Sequence, residues 1–372
     1  MLDYDWIVVG AGMTGSTFAA VRAEQYGDRV LVVEQRHHVG GNCYDEYAPG
    51  FGLIHVYGPH LFHTNSAKVA NFLGNYTDWR PYEHRVLAAV DGQQVPLPIN
   101  FRSIEMLFPR KVASELIEDL LCIENYGASV TLADLTVKRP NSPLLKLILS
   151  KVFKPYSEKQ WGTTFDDIDP AVLKRVPIRL SYDDRYFTDT FQWLPGQGYT
   201  KMFQNMLRHP NINVMTNTKW DQIKRHWSPS RSRLYWTGTI DSYHEYEYGP
   251  LPYRTIDFQN IEGMPLQTGT LNLPMDQDYT RVSDQSIINN HPPSAAHILT
   301  YEEPAAYNHL NVLDVPYYPV TNAASKELYR KYSDKAAAFV TFGGRLGSFQ
   351  YLNMDQACAQ ALSHAGYIED PT

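Results

Sequence analysis

Cysteine is scarce in this chain, positive charge is not in excess and no long apolar run occurs. The three cysteines, Cys43, Cys122 and Cys358, lie far apart and form no CxxC pair. Neither a disulfide framework nor a thiolate metal site is expected from them, and a reducing cytoplasm suits them. A formal net charge of -7 withholds the basic face that nucleic acid or an anionic membrane demands, although a local basic pocket remains compatible with it. No apolar stretch approaches the length of a membrane span, and Asp3 and Asp5 stand where a signal peptide carries basic residues, so neither insertion nor export is expected. Internal repeats, low-complexity segments and a second GxGxxG are missing as well.

What is present is ample for a folded core: 372 residues, 43% of them hydrophobic, enough for two or three domains. Tyrosine is unusually frequent, at 26 residues, which suggests pockets lined by rings that also donate hydroxyls, with core filling accounting for most of them. Trp6 to Val9 reads as a short strand, Gly10 to Gly15 as a glycine turn, Ser16 to Tyr26 as a helix and Val30 to Glu34 as a second strand. That is one β-α-β unit. Leu87 to Leu97 alternates and turns at Asp91-Gly92, a tight-hairpin dipeptide. From Ser103 to Arg175 the pattern is helical, with Lys111 to Asn125 amphipathic, Asn141-Ser142-Pro143 opening a helix and Asp169-Pro170 opening a short one. Ile178 to Tyr318 reads as short strands between turns, with a helix at Thr200 to Arg208. The end returns to α/β texture, with a helix at Ser325 to Tyr332, a strand at Ala338 to Phe342, a glycine-rich turn from Gly343 to Gly347 and a helix at Asp355 to Ala365.

The sharpest local signal is Gly10-Ala11-Gly12-Met13-Thr14-Gly15, a GxGxxG between strand and helix, where amides at a helix start can cradle a pyrophosphate. Glu34, at the end of the second strand, is placed to accept hydrogen bonds from an adenosine ribose. The fingerprint does not choose between NAD and FAD, but Gly40-Gly41-Asn42 offers a second close approach of backbone to ligand and favours FAD. The turn Gly343-Gly344-Arg345, before a helix capped at Asn353, either aims a positive helix end at the isoalloxazine or is a plain strand-turn-helix. His60 and His63 have a spacing that could serve a metal, yet no third ligand is grouped with them, so a flavin-facing pair or core histidines fits better and no metal is expected.

The expected class is therefore α/β, mixed α+β, in three parts. A discontinuous Rossmann-like FAD-binding domain comes from 1-75, 188-245 and 322-372; a helical subdomain carrying a uridine pocket and lid from 100-175; and an antiparallel sheet domain from 76-99, 176-187 and 246-321. In Lys154-Pro155-Tyr156-Ser157-Glu158-Lys159-Gln160-Trp161-Gly162, two rings five residues apart can sandwich a flat base or pack in the core. Arg175, Arg254, Arg281 and Arg345 occur in segments otherwise aromatic or apolar, where arginine usually wants an anion, and several beside tyrosines suggest a diphosphate.

HVYGPHLFHT, EKQWG, KRVPIRLSYDDRYF, PGQGYTKM, PYYPV and FGGRLGSFQYLNMD follow one another in an order that resembles bacterial UDP-galactopyranose mutases along essentially the whole chain. The resemblance implies interconversion of UDP-galactopyranose and UDP-galactofuranose on reduced FAD, with flavin N5 bonding the anomeric carbon, in service of cell-surface glycans. It implies catalytic roles for Arg175, Arg281 and His63, with Arg175 and Arg281 on the diphosphate, Tyr186, Tyr318 and Tyr351 donating hydroxyls to it, and Tyr156, Ser157 and Trp161 at the uridine. Arg254 would support the sugar or phosphate, Asn272 would lie at the pocket, and a lid would span Arg175 to Arg185. FAD contacts would come from Gly10, Gly12, Met13, Thr14, Gly15, Glu34, Gly41, Asn42, His60, His63, Arg345, Leu352, Asn353, Met354 and Asp355. A homo-oligomer, at least a dimer, is also implied. Two departures stand out: Asn353 where many members have aspartate, and His84 where they often have asparagine. The rival reading, a flavin amine oxidase or desaturase type, shares the first unit and the closing glycine segment but has no need of EKQWG or the arginines.

Overall fold

The computed structural model describes residues 3–168, 177–291 and 296–369. Strand β1 (Trp6–Val9) is apolar and largely buried, because it runs through the middle of a sheet. Helix α1 (Met13–Tyr26) follows and strand β2 (Val30–Val33) returns parallel to β1. The helix begins at Met13 rather than Ser16, because the last residues of the glycine turn already belong to its first turn. Gly15 lets this happen: a Cβ there would collide with the carbonyl oxygen of Gly10. Three later strands complete an all-parallel sheet in the order Ile212–Met215, β2, β1, Arg233–Trp236 and Val340–Phe342. The last segment of the chain therefore closes the unit that the first one starts. Phe18 of α1 stacks on Tyr235 with centroids 3.8 Å apart, which fastens helix to sheet.

The hairpin forms where Asp91-Gly92 indicated. Val86–Val90 and Gln93–Leu97 pair antiparallel across those two residues, which have φ of 48° and 80°, the doubly positive geometry that matches strand twist. This hairpin joins a seven-stranded sheet with Tyr318–Pro319, Tyr253–Gly263, His297–Ala306, Arg281–Asp284 and Thr270–Asn272. The expected antiparallel sheet is corrected in one respect: Thr270–Asn272 runs parallel to Val86–Val90, since those strands come from distant parts of the chain and no tight turn fixes their direction.

Between 101 and 161 the chain is mainly helical, with one short strand at Ser129–Thr131, around a core that includes Ile104, Leu116, Leu120, Leu144 and Phe153. The run opened by Pro143 continues through a π-helical stretch, Ile148–Phe153, into the helix Lys154–Trp161. The helix expected at Asp169-Pro170 lies outside the described residues, as does Arg175. No helix among the described residues is long and apolar enough to cross a membrane.

Candidate active site

Two glycine turns packed against each other build the dinucleotide end of the site. Gly12 stands at the N-cap of α1 with no side chain over the first amides, so those donors are left to a ligand. Gly41 has φ of 56°, and a Cβ on it would come within 2.8 Å of the Gly12 Cα. Glu34 ties the arrangement together: its Oε2 accepts the amide of Ala11 at 2.8 Å and its Oε1 that of Arg36 at 2.9 Å. A carboxylate has roughly four acceptor positions, so ribose hydroxyls can still be bound.

Arg36, which no sequence motif singles out, belongs here too. Its Nη2 donates to Asn42 at 2.8 Å, its guanidinium lies 4.4 Å from the Tyr57 ring centre, and its buried Nη1 has no partner. An unpartnered buried cationic donor beside two open glycine turns fits the pyrophosphate of a bound dinucleotide. The closing segment meets the same place, because a Cβ on Gly344 would be 2.8 Å from Thr14 Oγ1. Met13 and Thr14 are buried at that junction.

A cleft adjoins these turns through Tyr57, under the Arg36 guanidinium, and Arg345, next to Gly344. His60 and His63, His84 just before the hairpin, Val86 at its start, Tyr156, Tyr186, Asn272, Arg281, Tyr318, Arg345, Asn353 and Met354 all line it. Arg281 is its most telling group. Its Nε lies 2.8 Å from Glu302 Oε1, with the N–H aimed off the carboxylate, so the two form an ion pair rather than an aligned hydrogen bond. Burial works most strongly against the guanidinium charge, but the Glu302 carboxylate together with Tyr156 and Tyr318 raises the Arg281 pKa on balance. Glu302 is 1% exposed. Its signal in the sequence is parity: in His297–Ala306 it shares the buried face with Ile298 and Thr300, an odd place for a charge.

The tyrosines are held as donors. Burial raises the phenols of Tyr156 and Tyr186, and pushes that of Tyr318 up to about 12. Two histidines are held neutral by burial: His60, at about 4, whose Nδ1 donates to the Gly58 carbonyl at 3.0 Å, and His84, at about 3, hydrogen-bonded to Tyr82 at 3.2 Å. Among the described residues no three histidine, cysteine, aspartate or glutamate side chains group as a metal site would need. The helix Met354–Ala365 starts at the cleft, with Asn353 at its N-cap. Asp355 is engaged by Thr64 Oγ1 at 3.0 Å.

Other expected groups take different work. Arg254 is buried beneath the end of the helix Lys154–Trp161, donating to the carbonyls of Gln160 at 3.0 Å and Lys159 at 3.1 Å. Two of its donors thus clamp that helix, since unpaired C-terminal carbonyls attract arginine as an anion does, and Arg254 is not among the groups lining the cleft. Arg345 likewise gives its donors to the carbonyls of Leu352 and Tyr317, while lying over the rings of Tyr318 and Tyr351 at 4.9 and 5.3 Å. Ser157 is buried, and Trp161 sits by Tyr318 and Tyr351 with ring centres 6.1 and 5.9 Å away, not among the cleft-lining groups. Five helical residues turn roughly 500°, so Tyr156 and Trp161 point about 140° apart and do not make a simple sandwich. In the segment expected as a lid, Pro177–Arg179 is a strand paired with Ser129–Thr131, and Arg179 donates to the carbonyls of Arg185 and Tyr186. Closing residues 177–185 over a ligand would have to break these bonds. Replacing Arg254 with Ala should fray the last turn of the helix it clamps. A stability loss of about 1–3 kcal/mol in denaturant melts is expected, together with weaker nucleotide binding; unchanged values of both would contradict the clamp.

The family model described as UDP-galactopyranose mutase matches residues 151–351, and a model for NAD(P)-binding Rossmann-like domains matches residues 8–76. A dTDP-fucopyranose mutase of Escherichia coli is 35% identical over 376 residues, covering 96% of this chain and 97% of that one. A UDP-galactopyranose mutase of Mycoplasma pneumoniae is 34% identical over 386 residues, covering 97% of this chain and 95% of its own. A crystal structure of a reduced UDP-galactopyranose mutase shares the fold, with a TM-score of 0.64 at 16% identity over 99% of this chain and 94% of that one. The chain belongs to the UDP-galactopyranose mutase family, and is an isomerase.

Proposed function

We propose that the chain binds FAD across its glycine turns and interconverts the pyranose and furanose forms of UDP-galactose in the adjoining cleft. The observation that carries this reading is Arg281 with Glu302, a charged pair in a tyrosine-walled cleft that opens beside the dinucleotide turns. A diphosphate carries its charge on oxygens that guanidinium and phenol donors suit, and stabilising it as it departs lowers the barrier more than binding the intact sugar would. Arg281 supplies the charge, and the phenols of Tyr156, Tyr186 and Tyr318 supply hydroxyls. Arg345 keeps Tyr318 and Tyr351 in place by lying on their rings.

FAD is favoured over NAD by the second glycine turn at Gly41 and by the open Arg36 donor, both of which extend the contact surface beyond the first fingerprint. Bound and reduced, a flavin supplies the nucleophile toward the anomeric carbon. The chain's own residues then bind, orient and screen the sugar, and no serine or cysteine is among the described residues that line the cleft. A furanose made this way would serve galactofuranose-containing surface glycans.

A second substrate is favoured by one observation. The Escherichia coli relative is named for dTDP-fucopyranose, a 6-deoxy sugar, and Val86, Phe187, Ile256 and Phe258 give this cleft apolar surface that a methyl group suits. The two are separated by incubating dithionite-reduced protein with each nucleotide sugar and resolving pyranose from furanose by chromatography. Furanose from UDP-galactopyranose, formed only after reduction and without oxygen uptake, is the expected result. Product from dTDP-fucopyranose alone would move the reading to the second substrate, and steady oxygen consumption with an amine would move it to the oxidases.

A further inference from the structure

Lys159, the lysine of EKQWG, has no role in the reading above. It stands on the helix Lys154–Trp161, and its ammonium donates to three carbonyl oxygens, those of Leu273 at 3.0 Å, Asp276 at 2.5 Å and Tyr279 at 2.6 Å. An ammonium carries three hydrogens, so all of its donors are spent on main chain. Lys151, Lys224 and Lys335 instead take carboxylates at the surface, where such pairs hold little in place. Burial lowers the Lys159 pKa, and the carboxylates of Asp276 and Asp278 oppose that shift.

The three carbonyls belong to one loop. It joins the strands Thr270–Asn272 and Arg281–Asp284, and the residues paired at its base, Asn272 and Arg281, both line the cleft. Leu273 and Tyr279 stand near its two ends, so Lys159 clips the loop across that base. Within the loop, Asp276 Oδ1 accepts the amides of Asp278 at 2.9 Å and Tyr279 at 2.8 Å, and the amide of Leu273 donates to the Thr280 carbonyl at 2.8 Å. The helix is fixed independently, since Arg254 donates to the carbonyl of Lys159 itself at 3.1 Å. Tyr156, which also lines the cleft, lies about one turn before Lys159 on that helix. A single ammonium thus joins the wall that bears Tyr156 to the wall that bears Asn272 and Arg281.

We infer that Lys159 is a positioning residue: by holding the loop 273–280 to the helix Lys154–Trp161, it sets the separation of Arg281 from Tyr156 across the cleft. The inference rests on the mutase reading, in which those two groups receive the diphosphate. Lys159 is not among the groups that line the cleft, so it acts on a ligand only through them. A guanidinium and a phenol that bind one diphosphate together must keep their spacing. A displacement of about 1 Å can cost roughly 10²-fold in rate, even when its origin is remote from the reacting atoms.

The test uses flavin-loaded protein with UDP as the probe. Lys159→Met is expected to raise the UDP dissociation constant about 10-fold and to lower kcat of the reduced enzyme by roughly 10²-fold, with flavin content near wild type. In an Arg281→Ala background the same substitution should change UDP affinity by about twofold or less, because the group it positions is gone. Lys159→Cys combined with Cys122→Ser supplies a rescue, since Cys122 is exposed and the other two thiols are buried. Alkylation with bromoethylamine rebuilds a side chain of lysine length ending in an ammonium, and should restore the UDP affinity that the free thiol lacks. Unchanged UDP affinity and kcat in Lys159→Met overturn the inference. So does an equal loss in the Arg281→Ala background, an alkylated protein no better than the free thiol, or failure of both Lys159 variants to fold, each of which would make the lysine merely structural. UDP affinity indifferent to Arg281→Ala alone is a separate result, which refutes the diphosphate placement in the mutase reading and this inference with it.

Discussion

Arg281→Ala is expected to lose roughly 10²- to 10³-fold in turnover, or more, while the protein keeps its flavin. Arg281 and Glu302 are cross-strand neighbours in Arg281–Asp284 and His297–Ala306, and the guanidinium is the cation that Glu302 faces. Removing it would take away the charge proposed to receive a departing diphosphate. It also leaves a carboxylate that is 1% exposed without its counter-ion. An uncompensated buried charge of this kind costs about 3–5 kcal/mol of stability, which denaturant melts would register. Adding Glu302→Gln to that variant should recover much of the stability and none of the turnover, since both charges are then gone from the interior. Near-normal turnover in Arg281→Ala would remove this arginine from the chemistry.

Gly15→Ala is expected to purify without flavin. The added methyl points at the carbonyl oxygen of Gly10, which is backbone and cannot rotate away. Helix α1 must lift from β1, and the amides at its start move off the pyrophosphate they would cradle. Overpacking of this type costs about 1–3 kcal/mol even where side chains can adjust. The measurement is flavin absorbance per protein, with circular dichroism to show whether the sheet has survived. Full flavin occupancy in a folded Gly15→Ala protein would contradict the close packing of turn and helix.

The features legible in the sequence were those set by neighbours along the chain. The glycine fingerprint, the second strand and the turn at Asp91-Gly92 each follow from local conformational demand; the fingerprint and the turn stand where the pattern put them, and the strand stops at Val33, one residue before Glu34. Arg281 was legible because a cation in an apolar strand advertises a partner. What a cation's partner is could not be read. Arg254 and Arg345 stand in the same kind of context as Arg281, yet both are satisfied by carbonyl oxygens 94 and 7 residues away in sequence. Asp189 and His63 meet across 126 residues, and Glu302 meets Arg281 only through strand register. Such pairs are products of topology, which periodicity does not encode. Tyr156 and Trp161 illustrate the converse, since a motif compact in sequence is spread around a helix.

The adjacency of the glycine turns and the tyrosine-walled cleft is tested most directly by titrating the purified protein with UDP and following its visible spectrum. A bound flavin whose absorbance bands shift and saturate with UDP is the expected outcome, because both ligands would then occupy one continuous site. Colourless protein, or a flavin spectrum indifferent to saturating UDP, would contradict it.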